Sequence, residues 1–281
     1  MKQTCPAQVS RVEPGRVGLV GRVGLAVIFA GYGAALLVFA HHARPSMSGT
    51  LLDGIFRFGA FNIAAWLMIF ARARAIISPQ PGAAWFIVAA MIAALAAVLA
   101  VPSILGAGLA MALLGGGVLL QPKCSQPGRE AGWLLLALAG CAGTLYLDGF
   151  SLPVVIWDAQ AAAWLSNFAG FHASAQGPFA GVGAFRIIIL TGCSSVAPLA
   201  SVLLAYLVIL LYLHVTPGRA DIPWLLASLA TSVTLTEIRL SLMLPSYAAW
   251  DWWHNGPGVT VYELTALAAA ASFPLIASRR R

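Results

Sequence analysis

Long runs of apolar residues constrain the fold of this chain more than any other feature of its sequence. Hydrophobic residues make up 60% of its 281 residues, and charged residues make up only 9%. The apolar core of a bilayer needs roughly 20 such residues per helix, and several runs reach about that length. Because lipid offers the backbone no hydrogen-bond partner, these runs must be helical. The sequence therefore predicts an all-α polytopic membrane protein.

The apolar runs predict about eight transmembrane helices of roughly 20 residues each. The outer segment 149–195, between the fifth and sixth helices, differs in composition. Within it, residues 152–168 carry Trp157 and Trp164 and predict a helix that lies in the membrane interface. Residues 185–190 are rich in β-branched side chains and predict an extended segment before the sixth span. The predicted spans are 23–40, 51–71, 84–101, 103–120, 131–148, 196–215, 222–243 and 258–277.

The distribution of basic residues orients these spans, because lysine and arginine gather in cytoplasmic connections. With the amino terminus inside, most of the 16 lysines and arginines fall on the inner side. The exceptions are Arg44, Arg57, Arg186 and Arg239. Both termini are therefore predicted to be cytoplasmic. The inner residues are Lys2, Arg11, Arg16, Arg22, Arg72, Arg74, Lys123, Arg129, Arg219, Arg279, Arg280 and Arg281.

This topology gives the chain a cytoplasmic amino-terminal segment, 1–22, and a basic cytoplasmic tail, 278–281. Between them lie the amino-terminal transmembrane helices, 23–148, and a region, 149–277, with the outer segment and three spans. The first apolar run is longer than a usual signal-peptide core and lacks a clear small-x-small site at its end. We therefore expect it to be a retained span rather than a cleaved signal.

The net charge of +7 is explained by this topology and does not indicate nucleic-acid binding. The basic residues are scattered among short loops and are not interleaved with aromatic residues. Contact with anionic membrane lipid is the expected consequence.

Cys193 is the cysteine expected to face outward, since Cys5 and Cys124 fall inside and Cys141 falls within a span. The chain has no C-x-x-C pair and no metal-like Cys/His cluster, so no metal or cofactor is expected. An unpaired thiol in an oxidising compartment is a liability unless it is buried or used.

The residues after Cys193 predict a helix start. Ser194 or Ser195 can cap a helix whose first turn contains Pro198. Cys193 would then lie at a helix amino terminus, where the dipole favours thiolate. The alternative interpretation is that Cys193 is only a small apolar residue at a tight turn.

Two other reactive residues fall on the same outer face. Arg239 lies near the outer end of the seventh span, where many arginines only reach the interface with their long side chains. His254 lies in the following loop, where Asp251 and Asn255 could orient its imidazole.

Glu237 lies two positions before Arg239 and therefore points to a different helix face. Ionisable residues inside a helical bundle are normally paired or functional. The candidate partners for Glu237 are Arg186 and Arg57.

The order of a cysteine in the turn 192–195, Arg239 in the following span and His254 in the next outer loop resembles the exosortase and archaeosortase family. The resemblance covers about residues 149–277. In that family Ser-Gly usually follows the cysteine and Asn usually lies three positions before the arginine. Here Ser194 and Ser195 follow the cysteine, and Thr236 takes the place of the asparagine.

The resemblance implies a cysteine transpeptidase or protease that cleaves carboxy-terminal sorting signals of exported proteins, outside a bacterial inner membrane. Such signals combine a short motif, a hydrophobic helix and a basic tail, and the acceptor of the cleaved protein is not implied. The catalytic residues would be Cys193, Arg239 and His254. Supporting positions would be Thr236, Ser194 and Asn255.

Two other classes of function stay open. A transporter or channel could use Glu237, Arg239 and Asp158 as a polar path, although the sequence has no clear inverted repeat. A structural or assembly protein would leave these residues merely packed or solvated. Serine and zinc proteases are disfavoured, because no G-x-S-x-G or H-E-x-x-H motif is present.

Overall fold

The structure is a computed structural model that describes residues 61, 64–69, 71–72, 104–120, 125–144 and 152–280. The predicted spans 23–40 and 84–101 lie outside these residues, and so does the predicted segment 1–22. The predicted span 51–71 is described only in part, and its residues 64–69 are helical.

Helices form most of the described chain, as the apolar runs predict. Helix α1 matches the predicted span 103–120 closely, α3 coincides with the predicted interfacial helix, and α5 coincides with the predicted span 222–243. The predicted spans 131–148, 196–215 and 258–277 match helices with shifted ends. The helices are α1 (Ile104–Leu119), α2 (Gln126–Thr144), α3 (Leu152–Phe168), α4 (Leu199–Tyr212), α5 (Ile222–Met243), α6 (Tyr247–His254) and α7 (Pro257–Arg279).

Within the described ranges, two helical stretches are long and apolar enough to cross a membrane. They are Arg219–Met243, which contains α5, and Pro257–Arg279, which is α7. Helix α4 is apolar but shorter. Helix α7 also leaves Leu264 and Leu267 exposed, as a lipid-facing surface would. A membrane protein is thus supported, whereas the number of eight spans stays a prediction.

A small antiparallel sheet, in the order β1-β2-β3, follows α3, so this part of the chain is not all-α as predicted. The extended conformation predicted for 185–190 is confirmed for β3, but two further strands precede it. Gly177 and Gly183 have φ angles of 58° and 60°. Each begins a two-residue hairpin turn, a position that requires positive φ and hence favours glycine. The strands are β1 (Ala173–Gln176), β2 (Phe179–Val182) and β3 (Phe185–Ile188).

Two apolar clusters hold the described elements together. The first joins α1, α2 and α4 with residues such as Leu134 and Leu204. The second joins α3, the sheet and α5, and contains Val155, Ile189 and Leu240. Partly buried side chains pack against the second cluster from both the cysteine turn and α6, namely Cys193, Trp250 and Trp253. The second cluster is therefore the base on which the candidate site is built.

Candidate active site

Cys193 is the last residue of a 3₁₀ turn, Thr191–Cys193, and not the residue before an α-helix. Helix α4 begins only at Leu199, and its first turn has no side-chain cap. The prediction that Ser194 or Ser195 caps this helix is therefore wrong, as is the placement of the thiol at a helix amino terminus. Both serine hydroxyls have other partners, which is the physical reason.

Those partners fix the turn itself. The Ser194 hydroxyl donates to the carbonyl oxygen of Thr191 at 2.8 Å, and the Ser195 hydroxyl donates to Oδ1 of Asp158 at 2.7 Å. Ser194, a predicted supporting residue, is buried, so it stabilises the turn from inside. The thiol of Cys193 is only half-buried and lies at the surface of the turn.

His254 lies at the carboxyl end of α6, a short helix where the sequence predicts a loop. The helix begins where the hydroxyl of Ser246 accepts a hydrogen bond from the backbone N–H of Ala249 at 3.2 Å. It brings Nε2 of His254 to 3.9 Å from Sγ of Cys193, across 61 residues of sequence. The thiol and the imidazole predicted from the sequence are therefore in contact.

The orientation of the His254 ring is set by the next residue. Nδ1 of His254 lies 3.1 Å from Oδ1 of Asn255, while Nδ2 of Asn255 donates to Oδ1 of Asp251 at 2.9 Å. Because a carboxylate only accepts, the amide nitrogen must face Asp251, and the amide oxygen must face the imidazole. Nδ1 then carries the proton of the neutral ring, so the lone pair of Nε2 faces the thiol. This order of cysteine, histidine and asparagine is one of the known variants of a nucleophile, base and orienting residue.

Trp250 holds the other side of the same imidazole. Its ring stacks on that of His254, with centroids 4.8 Å apart and an angle of 21° between planes. The two residues are four apart on α6, which places them on one helix face. The ring of His254 is therefore restrained both by stacking and by hydrogen bonding.

Arg239 projects from α5 toward the same helix end. Its Nε and Nη2 atoms both donate to the carbonyl oxygen of Trp253, each at 3.2 Å, and Trp253 immediately precedes His254. The hydrogen bonds of Arg239 within the described ranges use Nε and Nη2 only, and none of its contacts there is a salt bridge. The donors on Nη1 thus remain available to an anion.

Thr236, a predicted supporting residue, contacts Tyr262, whose ring lies beneath Arg239. The Thr236 hydroxyl donates to the carbonyl oxygen of Ser232 at 3.0 Å, and its oxygen lies 2.9 Å from the Tyr262 hydroxyl. Since threonine has one hydroxyl proton, the Tyr262 hydroxyl must be the donor in the second bond. The ring of Tyr262 in turn lies beneath the guanidinium, 4.7 Å from Cζ of Arg239.

The prediction that Arg186 is a partner of Glu237 is wrong. Nη1 of Arg186 donates to Oε1 of Gln176 instead, at 3.3 Å. Glu237 is buried close to Asp158 of α3, and its Oε2 has no hydrogen-bond partner among the described residues. The other candidate, Arg57, lies outside the described residues.

Trp250 and Tyr262 were not identified from the sequence. The spacing of Trp250 and His254, four residues apart, would have indicated a contact had α6 been predicted to be a helix. Tyr262 has no such signal, because its role depends on how α7 packs against α5.

The described residues contain no cluster of three histidine, cysteine or acidic side chains arranged to hold a metal ion. The chemistry that the site can perform with its own residues is nucleophilic attack by a thiol with a neighbouring base. The chain matches no protein-family model, no curated protein and no solved structure.

Proposed function

We propose that this chain is a membrane-embedded cysteine peptidase or transpeptidase, similar to the exosortases, that cleaves carboxy-terminal sorting signals of exported proteins. The observation that carries the proposal is the contact of 3.9 Å between Sγ of Cys193 and Nε2 of His254. A packed structural cysteine needs no imidazole whose lone pair faces it and whose ring is held by Asn255 and Trp250.

The geometry supports the following chemistry. His254 takes the thiol proton, and the thiolate of Cys193 attacks the carbonyl carbon of the scissile peptide bond. Arg239 stabilises the oxyanion of the tetrahedral intermediate through its remaining N–H donors. The carbon–nitrogen bond then breaks as protonated His254 gives its proton to the departing amine, which leaves a thioester on Cys193. An acceptor amine or water then attacks the thioester and gives its proton to His254, and the thiolate departs.

The membrane placement of the proposed enzyme follows from its helices. Helices α5 and α7 would cross the inner membrane together with the other predicted spans, with both termini in the cytoplasm. Arg239, near the outer end of α5, and His254 would then lie at the outer surface. A substrate with a hydrophobic helix could lie against the exposed apolar side chains of α7, among them Leu264 and Leu267, and present its preceding residues at that depth.

The experiment is co-expression with exported proteins that end in a hydrophobic signal, followed by measurement of their length. We expect the wild-type chain to shorten such a protein, and Cys193→Ala to abolish shortening while still accumulating in the membrane. Cys141→Ala is the matched control, since that thiol lies in α2 and packs against the first apolar cluster, whereas Cys193 packs against the second. A thioester-linked species, released by hydroxylamine, is expected on the wild-type chain and should be lost in His254→Ala, since His254 acts before the thioester forms. Cleavage that persists without Cys193 would refute the proposal.

The alternative is a transporter or channel with a polar path around Glu237 and Arg239. The contact between buried Asp158 and Glu237 is the observation that favours it, because intramembrane carboxyl groups often line ion paths. Substitutions separate the two functions. Transport would be lost in Glu237→Gln and retained in Cys193→Ala, whereas cleavage would be lost in Cys193→Ala.

A further inference from the structure

Asp158 has no place in the catalytic steps above, yet its carboxylate binds the turn that carries the thiol. Oδ2 accepts a hydrogen bond from the backbone N–H of Ser195 at 2.9 Å, and Oδ1 accepts one from the Ser195 hydroxyl at 2.7 Å. Asp158 is 3% exposed and Ser195 7%. A buried carboxylate that accepts two bonds from one residue fixes both the position and the rotation of that residue.

The segment between the 3₁₀ turn and α4 needs such a fixed point. Ser195 lies two residues after Cys193, in a segment that has turn conformation and no α-helical ladder until Leu199. The backbone N–H of Cys193 donates to the carbonyl oxygen of Leu190 at 2.9 Å, which fixes the turn on its amino-terminal side. The Asp158–Ser195 pair fixes it on the carboxyl-terminal side.

Glu237 extends this pair to the helix that carries Arg239. It projects from α5 to lie close to Asp158, and both side chains are buried. One buried polar cluster therefore joins α3, the thiol turn and α5.

We propose that Asp158 is a positioning residue that holds Cys193 against His254 by hydrogen bonding to Ser195. The inference rests on the proposed function, since the position of the thiol matters only if the thiol reacts. Asp158 acts through Ser195 and does not touch the substrate. Its hydrogen-bonding geometry, rather than its negative charge, is what the turn requires.

The test compares Asp158→Ala with Asp158→Asn in protein whose other three cysteines are replaced. An asparagine can accept from the Ser195 N–H through Oδ1 and donate to the Ser195 hydroxyl through Nδ2, so it reproduces both bonds without the charge. The first readout is the rate at which N-ethylmaleimide alkylates Cys193 in detergent-solubilised full-length protein. The second is cleavage of the co-expressed cargo.

We expect Asp158→Ala to slow alkylation by about tenfold or more, the effect of losing a hydrogen bond to a charged group, and to slow cleavage comparably. Asp158→Asn should retain most of the wild-type alkylation rate and most of the wild-type cleavage rate. Ser166→Ala is the matched control, because it removes another buried hydroxyl of α3 that has no hydrogen-bond partner among the described residues. It should leave both rates at the wild-type values.

The proposal is overturned if Cys193 is alkylated in Asp158→Ala at the wild-type rate or faster. It is also overturned if Cys193 is alkylated as slowly in Asp158→Asn as in Asp158→Ala. If Asp158→Ala does not accumulate in the membrane, the alkylation rates of Asp158→Asn and Ser195→Ala test the proposal instead. Asp158→Asn must then stay near the wild-type rate, and Ser195→Ala, which keeps only the backbone bond, must be slower. If the wild-type chain cleaves no cargo, the proposed function fails, while the alkylation rates still test the positioning role.

Discussion

The guanidinium of Arg239 lies over the ring of Tyr262, with Cζ 4.7 Å from the ring centroid. An aromatic face attracts a cation but does not neutralise it as a carboxylate would. Within the described residues Arg239 forms no salt bridge, and its nearest hydrogen-bond acceptor is the carbonyl oxygen of Trp253. The positive charge is thus held in place and remains available to an oxyanion, which is what the proposed mechanism requires of it.

Replacement of Tyr262 should lower activity through Arg239. We expect Tyr262→Ala to reduce the cleavage rate by about 2- to 30-fold, which corresponds to the loss of a cation–π contact of about 0.5–2 kcal/mol. Tyr262→Phe keeps the ring and should lose less. Cleavage of one cargo by matched amounts of membrane protein measures both.

Thr236 provides the control for this prediction. Thr236→Val removes the other end of the 2.9 Å bond between Thr236 and Tyr262, so it should match Tyr262→Phe. The double variant should be no worse than either single variant, because both remove the same bond. Additive losses would show that the two hydroxyls act independently, contrary to the geometry.

Replacement of Asn255 should lower the cleavage rate more than replacement of Asp251. Asn255→Ala removes the acceptor at Nδ1 of His254 and lets the ring change tautomer or rotate. We expect cleavage to fall by about tenfold or more, a loss of about 1.4 kcal/mol or more. Asp251→Ala should cost less, since it acts only through Asn255 and is exposed. A larger loss in Asp251→Ala than in Asn255→Ala would contradict this order of contacts.

The proposed topology can be tested at Cys193 itself. In a variant that retains only this cysteine, a membrane-impermeant maleimide should label the protein in intact spheroplasts, since the thiol is only half-buried and would face outward. A variant that retains only Cys124 should be labelled only after the membrane is permeabilised. If Cys193 is protected until permeabilisation, the orientation is reversed, and a sorting function outside the membrane fails with it.

The hydrophobic pattern predicted the helices better than it predicted the turns between them. The bounds of α3 and α5 were predicted correctly, because each helix coincides with one apolar run whose length is visible in the local sequence. The sheet was missed because its strands are only four residues long and β1 and β2 are rich in alanine and glycine, so their alternation is weak. The signals present were Gly177-Pro178 and Gly183-Ala184, each a two-residue turn with glycine first.

Among the supports of the candidate site, the contact of Asn255 with His254 was predicted, whereas the partners of Ser195 and Thr236 were not. Cys193, Arg239 and His254 were identified by residue type and order, and the structure brings the thiol and imidazole into contact. The bonds from Ser195 to Asp158 and from Thr236 to Tyr262 join residues 37 and 26 positions apart. Such contacts depend on how helices pack, and no local pattern encodes them.

Gly258 tests whether the corner between α6 and α7 positions the site. A Cβ atom at Gly258 would lie 2.5 Å from Cε3 of Trp252 and 2.8 Å from the carbonyl oxygen of Trp252. Neither the ring nor the backbone can yield without shifting α6, so Gly258→Ala should destabilise the protein by about 1–3 kcal/mol. Thermal unfolding in detergent measures this.

The same substitution should also lower activity. Trp252 packs edge-on against Trp253, with ring centroids 4.6 Å apart, and the carbonyl oxygen of Trp253 is the acceptor for Arg239. A shift of Trp252 therefore moves the acceptor that holds the guanidinium. Gly116→Ala in α1 is the matched control, because nothing lies within 4 Å of its added Cβ and alanine favours the helix. Reduced stability with unchanged cleavage in Gly258→Ala would mean that this corner supports the fold without positioning Arg239.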